Sequence, residues 1–195
     1  EYFNDLFWIT NPAYFFNMQS FRYTQDTIDA ELKKSKEDFI LHFRSAYTDD
    51  YPPAWMIAEI LPLGLLCRIY TNLKDNVIKK RVAQHFGLQV PVFSSWIVIL
   101  AGLRNMCCHH CRTWNRELAT ITTEPRRTKY GWIDSSRTDK RRMYYRICMI
   151  RYFLYTVSPN NSFKDKLKTL LAAYPNIDTA AMGFPSDWES EDIWK

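Results

Sequence analysis

The sequence predicts an all-α fold, and three observations lead to that prediction. Apolar residues recur at helical spacing along most of the 195 residues. No stretch of useful length alternates apolar and polar residues as a half-buried strand would. Only five glycines occur, which disfavours the tight turns that join β-strands. With 47% hydrophobic and 16% aromatic residues, the chain can bury a large core, and its length suits a single domain over residues 1–195.

The first half of the chain begins with two predicted helices. Asp26–Tyr47 places apolar residues at helical spacing with charges between them, and the Pro52-Pro53 pair ends this pattern. The next helix runs from about Ala54 to Asn72. Pro62 falls inside it, so we expect a kink there, because proline removes one backbone hydrogen bond and clashes with the preceding turn.

A short helix and a long apolar helix follow. Asp75 suits the N-cap of a short helix that reaches Phe86, and Gly87 suits its end. The longest apolar helix candidate then runs from Phe93 to about Leu118. It follows Pro91, which is tolerated near the start of a helix because its missing N–H has no partner there.

The last third predicts a basic loop, two helices and a tail. Residues 120–138 show no helical period, so we expect a loop there. Helices are predicted over Asp139–Val157 and from a cap at Ser162 to Tyr174. The tail, about 175–195, carries two tryptophans, so we expect it to dock on the core.

The segment most informative about function is Leu103–Glu117, LRNMCCHHCRTWNRE. Two of the chain's four histidines lie here side by side, among several arginines. Imidazole titrates near neutral pH and is the usual general acid or base, and a guanidinium binds phosphate through a planar fork of donors. The segment therefore predicts phosphate chemistry, and RNA cleavage if the phosphate belongs to RNA. The candidate residues are Arg104, Asn105, His109, His110, Arg112 and Asn115.

A regular helix through residues 99–118 would divide these candidates. At about 100° per residue, Arg104 lies about 140° from His109, so the two cannot converge on one phosphate from a straight helix. Either the segment is irregular near Arg104, or the two residues come from different copies in a two-fold dimer. The remaining polar residues fall within about 60° of one another and form an acid-free stripe. That stripe consists of Asn105, His109, Arg112 and Arg116.

Cysteines in the same segment allow other interpretations. Structural zinc sites usually take ligands from two separated pairs, and only Cys148 could join from afar, so no metal site is predicted. Small apolar packing is the favoured interpretation of Cys107, Cys108 and Cys111. His110 points toward the apolar side of the predicted helix, which favours a hydrogen-bonded core histidine.

Basic residues concentrate between Arg104 and Arg151, although the net charge is only +5. A one-sided basic block indicates a nucleic-acid partner better than net charge does, but a solvated helix face and loop would show the same pattern. The residues expected to hold RNA beyond the reacting phosphate are Arg116, Arg126, Arg127, Lys129, Arg141 and Arg142.

The cysteine count, the apolar runs and the first residue indicate where the protein resides and whether the chain is a fragment. An odd count of five cysteines without a secretory signal indicates a reducing compartment, so we expect a cytoplasmic protein. No uninterrupted apolar run reaches the ~18 residues that cross a bilayer, and no membrane partner is predicted. The chain begins at Glu1 in an aromatic-rich stretch without a Met, so we expect it to be a fragment or a processed product.

The histidine segment resembles the R-N-x-x-A-H-H-x-R-x-W-N signature of the Abi-like (abortive infection, Abi_2) family of bacterial phage-defence proteins. Cys108 replaces the usual alanine. Three other stretches are similar to the family: PPAWMIAEILPLG at Pro52–Gly64, SSWIVIL before the signature, and MGFPSDW near the end. The resemblance covers most of the chain and lacks the family's N-terminal helical portion. The matching signature residues are Arg104, Asn105, His109, His110, Arg112, Trp114 and Asn115.

The resemblance also implies a chemistry. The Abi-like family belongs with the HEPN superfamily of all-α proteins, which often act as metal-independent ribonucleases, so a HEPN-like helical bundle without a cofactor is implied. The superfamily's R-x₄₋₆-H motif falls on Arg104 and His109, with Asn105 second, and His110 would also satisfy the spacing. The RNA 2′-OH would attack the adjacent phosphate, with His109 as general acid or base and Arg104 stabilising the charged phosphorane. Asn105 would orient a partner or the phosphate.

The implied function is that of a toxin that arrests growth in anti-phage defence. Its implied partners are RNA as substrate, a second copy in a homodimer that shares the site, and an antitoxin made of RNA or of protein. Two alternatives stay open. One is a non-catalytic RNA-binding module in which the same residues bind phosphate. The other is a structural or interaction protein with a satisfied polar helix.

Overall fold

A computed structural model describes residues 3–195, which form α-helices joined by loops and short 3₁₀ turns. The described residues contain no β-strand, and a single antiparallel bridge pairs Phe15 with Leu73. The prediction of an all-α fold is confirmed. The chain divides into two compact units, one ending at Arg81 and one running from Val82 to Lys195. Whether residues 1–195 act as a single domain stays a prediction, because compactness alone does not show that either unit folds by itself.

The first unit consists of short helices in which α1 packs against α3 and α4. A second apolar cluster joins Ile40 and Phe43 to Met56. The division at Arg81 falls inside the fifth helix. In chain order the helices are α1 (Met18–Lys34), α2 (Asp38–Ala46), α3 (Ala54–Ile60), α4 (Leu63–Asn72) and α5 (Asn76–His85).

Two predicted helices are each two helices, so both predictions were wrong in extent. The first breaks at Ser35, whose hydroxyl accepts a hydrogen bond from the Glu37 N–H at 3.3 Å. Such local side-chain bonds compete with the helix ladder. The second breaks at Pro62 rather than bending there. Leu61, the residue before the proline, is extended with ψ 144°, as the steric clash with the proline ring requires.

The start and end of α5 were predicted correctly. The Asp75 carboxylate accepts hydrogen bonds from the N–H groups of Val77 at 2.6 Å and Ile78 at 3.2 Å. Beyond the helix, Gly87 has a φ of +67°. This left-handed conformation costs glycine little, and it lets the Leu88 N–H bond back to the Ala83 carbonyl at 3.0 Å.

The second unit is built on α6 (Val90–Cys108), α7 (Met143–Val157) and α8 (Phe163–Ala173). Helix α7 is buried on most of its surface and packs against α6. Trp96 of α6 is fully buried, and its ring lies 4.7 Å from Trp132 and 5.4 Å from Tyr152 between centroids. An aromatic core therefore holds α6, α7 and the segment between them together.

The boundaries of α6 and α7 differ from those predicted. Helix α6 begins at Val90 with Pro91 in its first turn and ends at Cys108, well before Leu118. Helix α7 begins at Met143 rather than Asp139. The Asp139 carboxylate accepts a hydrogen bond from the Arg141 N–H at 2.8 Å, a local turn that competes with helix. Between α6 and α7, residues 109–142 contain only the 3₁₀ turn Ser135–Arg137.

The tail closes on the second unit through its last residues. Ile193 and Trp194 are fully buried. The Trp194 indole N–H donates to the Tyr144 hydroxyl at 3.1 Å, and the Glu191 carboxylate accepts from the Asp134 N–H at 2.8 Å. Burial raises the pKa of the Tyr144 phenol, because ionisation there would place a charge in the core.

Helix α6 is long and apolar enough, by length and composition, to cross a bilayer. It is the one such helix among the described residues. A helix in the core of a soluble protein passes the same test, so this single case is weak evidence for a membrane span. Trp96 and Leu103, both buried, pack this helix into the second unit.

Candidate catalytic site at the end of α6

Helix α6 ends at the signature itself. His110 has a φ of 52°, its N–H bonds to the Cys107 carbonyl at 3.1 Å, and the Cys111 N–H bonds to the Met106 carbonyl at 2.9 Å. This pair of bonds closes a helix around a residue in the left-handed conformation, a position where glycine is usual and histidine is uncommon. The prediction of a helix reaching Leu118 was therefore wrong, because the chain reverses at His110.

His109 keeps helical register despite this reversal. Its N–H bonds to the Asn105 carbonyl at 2.9 Å, and its backbone (φ −91°, ψ 13°) is close to helical. Asn105 and His109 therefore share one face, as predicted. Arg112 and Arg116 lie beyond the helix end, so the predicted stripe was wrong for those two residues.

Arg104 reaches toward this face. Its guanidinium donates to the Asn105 side-chain oxygen at 3.3 Å, and both side chains are exposed, as is His109. Among the described residues, no carboxylate pairs with Arg104 or His109. The structure thus brings Arg104 and Asn105 into contact. It leaves the Arg104 guanidinium and the His109 imidazole without an acidic partner among the described residues, so both can contact an anion.

The remaining polar residues of the segment differ from their predicted environments. His110 is exposed, so its interpretation as a core histidine was wrong. Cys107, Cys108 and Cys111 are also exposed, so apolar packing was wrong for them. In the part of the chain that the structure describes, no group of three or more His, Cys, Asp or Glu is arranged to hold a metal ion.

Some arginines and lysines of the basic block, residues 104–151, form ion pairs with acidic residues that the structure describes, and others do not. Arg137 pairs with Asp187, and Lys140 pairs with Glu124 and thereby lowers the pKa of that carboxyl. Arg141, predicted to bind RNA, pairs with Glu117 and lies 3.5 Å from Asp139. Within this block, five exposed arginines form no ion pair with a described acidic residue. These are Arg104, Arg112, Arg116, Arg126 and Arg127.

The other predicted residues have structural contacts. Arg142 is half-buried and donates to the Asn115 side-chain oxygen at 3.1 Å, so these two residues tie the segment after α6 to the start of α7. The Lys129 ammonium lies 5.0 Å from the centroid of the Tyr130 ring. The RNA-binding roles of Arg142 and Lys129 stay predictions.

One neighbouring feature escaped the sequence reasoning. A cleft of about 400 Å³ lies between α6 and residues 116–120, and Gly102, Arg116 and Arg146 line it. Arg146 was counted only as one member of the basic block. The sequence did carry a signal for its burial: Arg146 follows Tyr145 directly and precedes Met149 by one helical turn, and both of these residues are buried in α7.

The left-handed His110 allows a stability prediction. We expect His110→Gly to raise the free energy of unfolding by about 0.5–1 kcal/mol, because glycine adopts positive φ without steric cost. His110→Ala is the matched control, since it removes the imidazole but keeps a Cβ at positive φ. Urea unfolding followed by circular dichroism measures both variants. Equal stability of the two variants would contradict the assigned conformation.

Comparison with known proteins places this site in a family. The family model described as Abi-like protein matches residues 1–115, about three fifths of the chain, and the match includes the whole segment from Arg104 to Asn115. Comparisons with curated proteins and with solved structures find no match. Because the matched part exceeds half of the sequence and contains the site, the chain belongs to the Abi-like protein family.

Proposed function

We propose that this protein is a metal-independent endoribonuclease of the HEPN type, acting in the cytoplasm as a toxin in abortive-infection defence. Its membership of a family named for abortive infection supports the defence role. The observation that carries the nuclease proposal is the exposed end of α6. There Arg104 contacts Asn105, Asn105 and His109 share one face of the helix, and no described acidic residue forms an ion pair with Arg104 or His109.

The residues divide the chemistry between them. His109 would take the proton from a ribose 2′-OH or give one to the leaving oxygen, because imidazole can do either near neutral pH. Arg104 would stabilise the negative charge that develops on the phosphorus oxygens. Asn105, already bonded to Arg104, would hold the guanidinium in place. His110, Arg112 and Asn115 would support this group.

Partners follow from the same proposal. RNA is the substrate, and the active unit is a homodimer in which a second copy completes each site. Arg104 and His109 leave α6 in different directions, which favours a site shared across a two-fold axis. An RNA or a protein would serve as antitoxin by covering the site.

A second function, RNA binding without cleavage, is favoured by the five unpaired arginines. Four of them lie in the segment after α6 and are exposed: Arg112, Arg116, Arg126 and Arg127. Cations without acidic partners can neutralise phosphates whether or not a bond is broken. Turnover is therefore the property that separates the two functions.

The test of the nuclease proposal is RNA cleavage in EDTA. Magnesium is normally held by carboxylates, and none pairs with Arg104 or His109 in the described part of the chain. We therefore expect purified protein to cleave total RNA in EDTA and to leave 2′,3′-cyclic phosphate ends and 5′-hydroxyl ends. The cyclic ends resist alkaline phosphatase until acid opens the ring, and a polynucleotide kinase labels the 5′-hydroxyl ends directly. Activity that disappears in EDTA and returns with Mg²⁺ would contradict this mechanism. Binding without any cleavage would favour the RNA-binding module.

A further inference from the structure

The cleft beside α6 has an apolar wall on the helix and an opposite wall in the segment that follows the helix. Val98, Gly102 and Met106 stand at spacing i, i+4 and i+8, so they face the cleft from one side of α6. Residues 118–120 form the opposite wall. The volume of about 400 Å³ lies within the usual range for small-molecule sites. Gly102 lines the cleft with open space in front of it, because a Cβ at this position would meet no atom within 4 Å.

Hydrogen bonds hold the opposite wall in place. The Leu118 N–H donates to the Arg141 carbonyl at 2.9 Å. A little further along, the Trp96 indole N–H donates to the Thr123 carbonyl at 3.0 Å, and the Thr123 N–H donates to the Ser95 hydroxyl at 3.1 Å. The wall is therefore anchored to α6 and to the start of α7, so the cleft is formed before any ligand arrives.

Arg146 gives the cleft a positive charge that no described ion pair neutralises. Its side chain is fully buried, and its guanidinium donates to the Thr120 carbonyl and lies 3.7 Å from the Met149 sulfur. Its Nε has no hydrogen-bond partner among the described residues, and no described carboxylate forms an ion pair with it. Burial lowers the pKa of Arg146, and nearby Tyr145 and Asp139 act in the opposite direction. A buried charge without a counter-ion is costly, so an anion that enters the cleft would be favoured there.

Arg116 adds a second cation at the rim. It lines the cleft, is exposed, and has no acidic partner among the described residues, whereas its neighbour Glu117 pairs with Arg141. The cleft thus combines an apolar wall with two guanidinium groups, one deep and one at the edge. A flat ring that carries a phosphate matches this combination, and a nucleotide is a ligand of this kind.

The cleft also lies on the catalytic face of α6. His109 is seven residues after Gly102, which places it about 20° away around the helix and about 10 Å along it. The hydrogen bond from the His109 N–H to the Asn105 carbonyl shows that the helical spacing still holds at the end of α6. Met106 lies between the two positions along the helix axis and about 60° from His109 around it. A chain of RNA that presents a phosphate to His109 can therefore place a neighbouring nucleotide in the cleft.

We propose that this cleft binds the nucleotide next to the scissile phosphate of an RNA substrate, with the base against Val98, Gly102 and Met106 and a phosphate toward Arg116 and Arg146. The proposal rests on the proposed ribonuclease function for its choice of RNA. Binding of a nucleotide in the cleft does not require cleavage, so the two proposals can fail separately.

The test places a large side chain in the cleft at Gly102. Gly102→Leu adds a side chain where there is space and replaces a helix-interior glycine, so the variant should fold. Gly64→Leu is the matched control, because Gly64 lies in α4 and its Cβ would also meet no atom within 4 Å. Arg146→Met is the second variant, since replacing a buried cation by an apolar residue of similar length is often neutral for stability. Circular dichroism checks the fold of each.

The measurements use adenosine 5′-monophosphate, uridine 5′-monophosphate, inorganic phosphate and a short single-stranded RNA, each titrated by calorimetry. We expect wild type and Gly64→Leu to bind the mononucleotides, and Gly102→Leu and Arg146→Met to bind them about tenfold more weakly or worse. RNA should displace the mononucleotide from the wild-type protein.

Each of three results would overturn the proposal. Equal affinity in Gly102→Leu and Gly64→Leu would show that the cleft is not the site. Phosphate binding as tight as mononucleotide binding would show an anion site without a base. Failure of RNA to displace the mononucleotide would show a site for free nucleotides instead. Nucleotide binding by a protein that cleaves no RNA would leave the cleft proposal standing and remove the nuclease proposal.

Discussion

His109→Ala should lower the rate of RNA cleavage by about 10²–10⁴-fold, because a positioned general acid or base contributes that much to proton transfer. The substitution leaves the backbone undisturbed, since φ −91° is open to alanine and the His109 N–H bond to Asn105 stays in place. Initial rates on a single-stranded RNA in EDTA measure the effect. His42→Ala is the matched control, because His42 is an exposed histidine on α2.

His110 is the alternative catalytic histidine, and the helix end provides a way to separate the two. His110→Gly removes the imidazole but keeps the left-handed turn that ends α6. We expect this variant to retain most of the activity that His109→Ala loses. The reverse pattern, with His110→Gly inactive and His109→Ala active, would assign catalysis to His110.

Mixing inactive variants tests whether two copies share each site. If Arg104 comes from one copy and His109 from the other, a mixture of Arg104→Ala and His109→Ala contains mixed dimers with one intact site. Activity should then recover to at most about a quarter of the wild-type rate, because about half the dimers are mixed and each has one good site of two. No recovery, with subunit exchange confirmed, would exclude this pairing.

Trp194→Ala should lower the free energy of unfolding of the second unit by about 3–5 kcal/mol, the usual cost of removing a buried tryptophan. Trp194 is fully buried, lies 5.0 Å from Trp188 between ring centroids, and donates to the Tyr144 hydroxyl. The substitution would leave a cavity and remove one hydrogen bond from the buried Tyr144 phenol. The effect should appear in urea unfolding followed by circular dichroism.

Trp55→Ala provides the control for that measurement. Trp55 is 64% exposed, so its removal should change the unfolding free energy by less than about 0.5 kcal/mol. If Trp194→Ala proves as mild as Trp55→Ala, the tail does not contribute to the stability of the second unit.

Local chemistry made parts of the fold predictable from the sequence. Asp75 and Gly87 delimit α5 as expected, because N-capping and positive φ depend on the residue and its immediate neighbours. Pro62 was recognised as an interruption, but its effect on Leu61 divides the helix instead of bending it. Apolar periodicity located the remaining helices and misjudged their ends, where Ser35 and Asp139 form local turns.

The candidate site was only partly predictable. Arg104, Asn105 and His109 could be selected from residue type and spacing, and Asn105 and His109 do share a face. The stripe does not extend to Arg112 and Arg116, because His110 adopts a positive φ and ends the helix. A pattern based on the helical repeat assumes that the helix continues and cannot predict such an end. The exposure of His110 is a consequence of the same turn.

The sequence alone therefore determined the all-α class, the family and the candidate residues for the chemistry, because each depends on residue type and short-range spacing. The tertiary structure decided which cations are available. Glu117, paired with Arg141, lies far from its partner in sequence, and so does Glu124, paired with Lys140. Tertiary packing also buried Arg146 beside the Gly102 cleft. Burial and ion pairing depend on which distant segments meet, and no local pattern in the chain specifies those meetings.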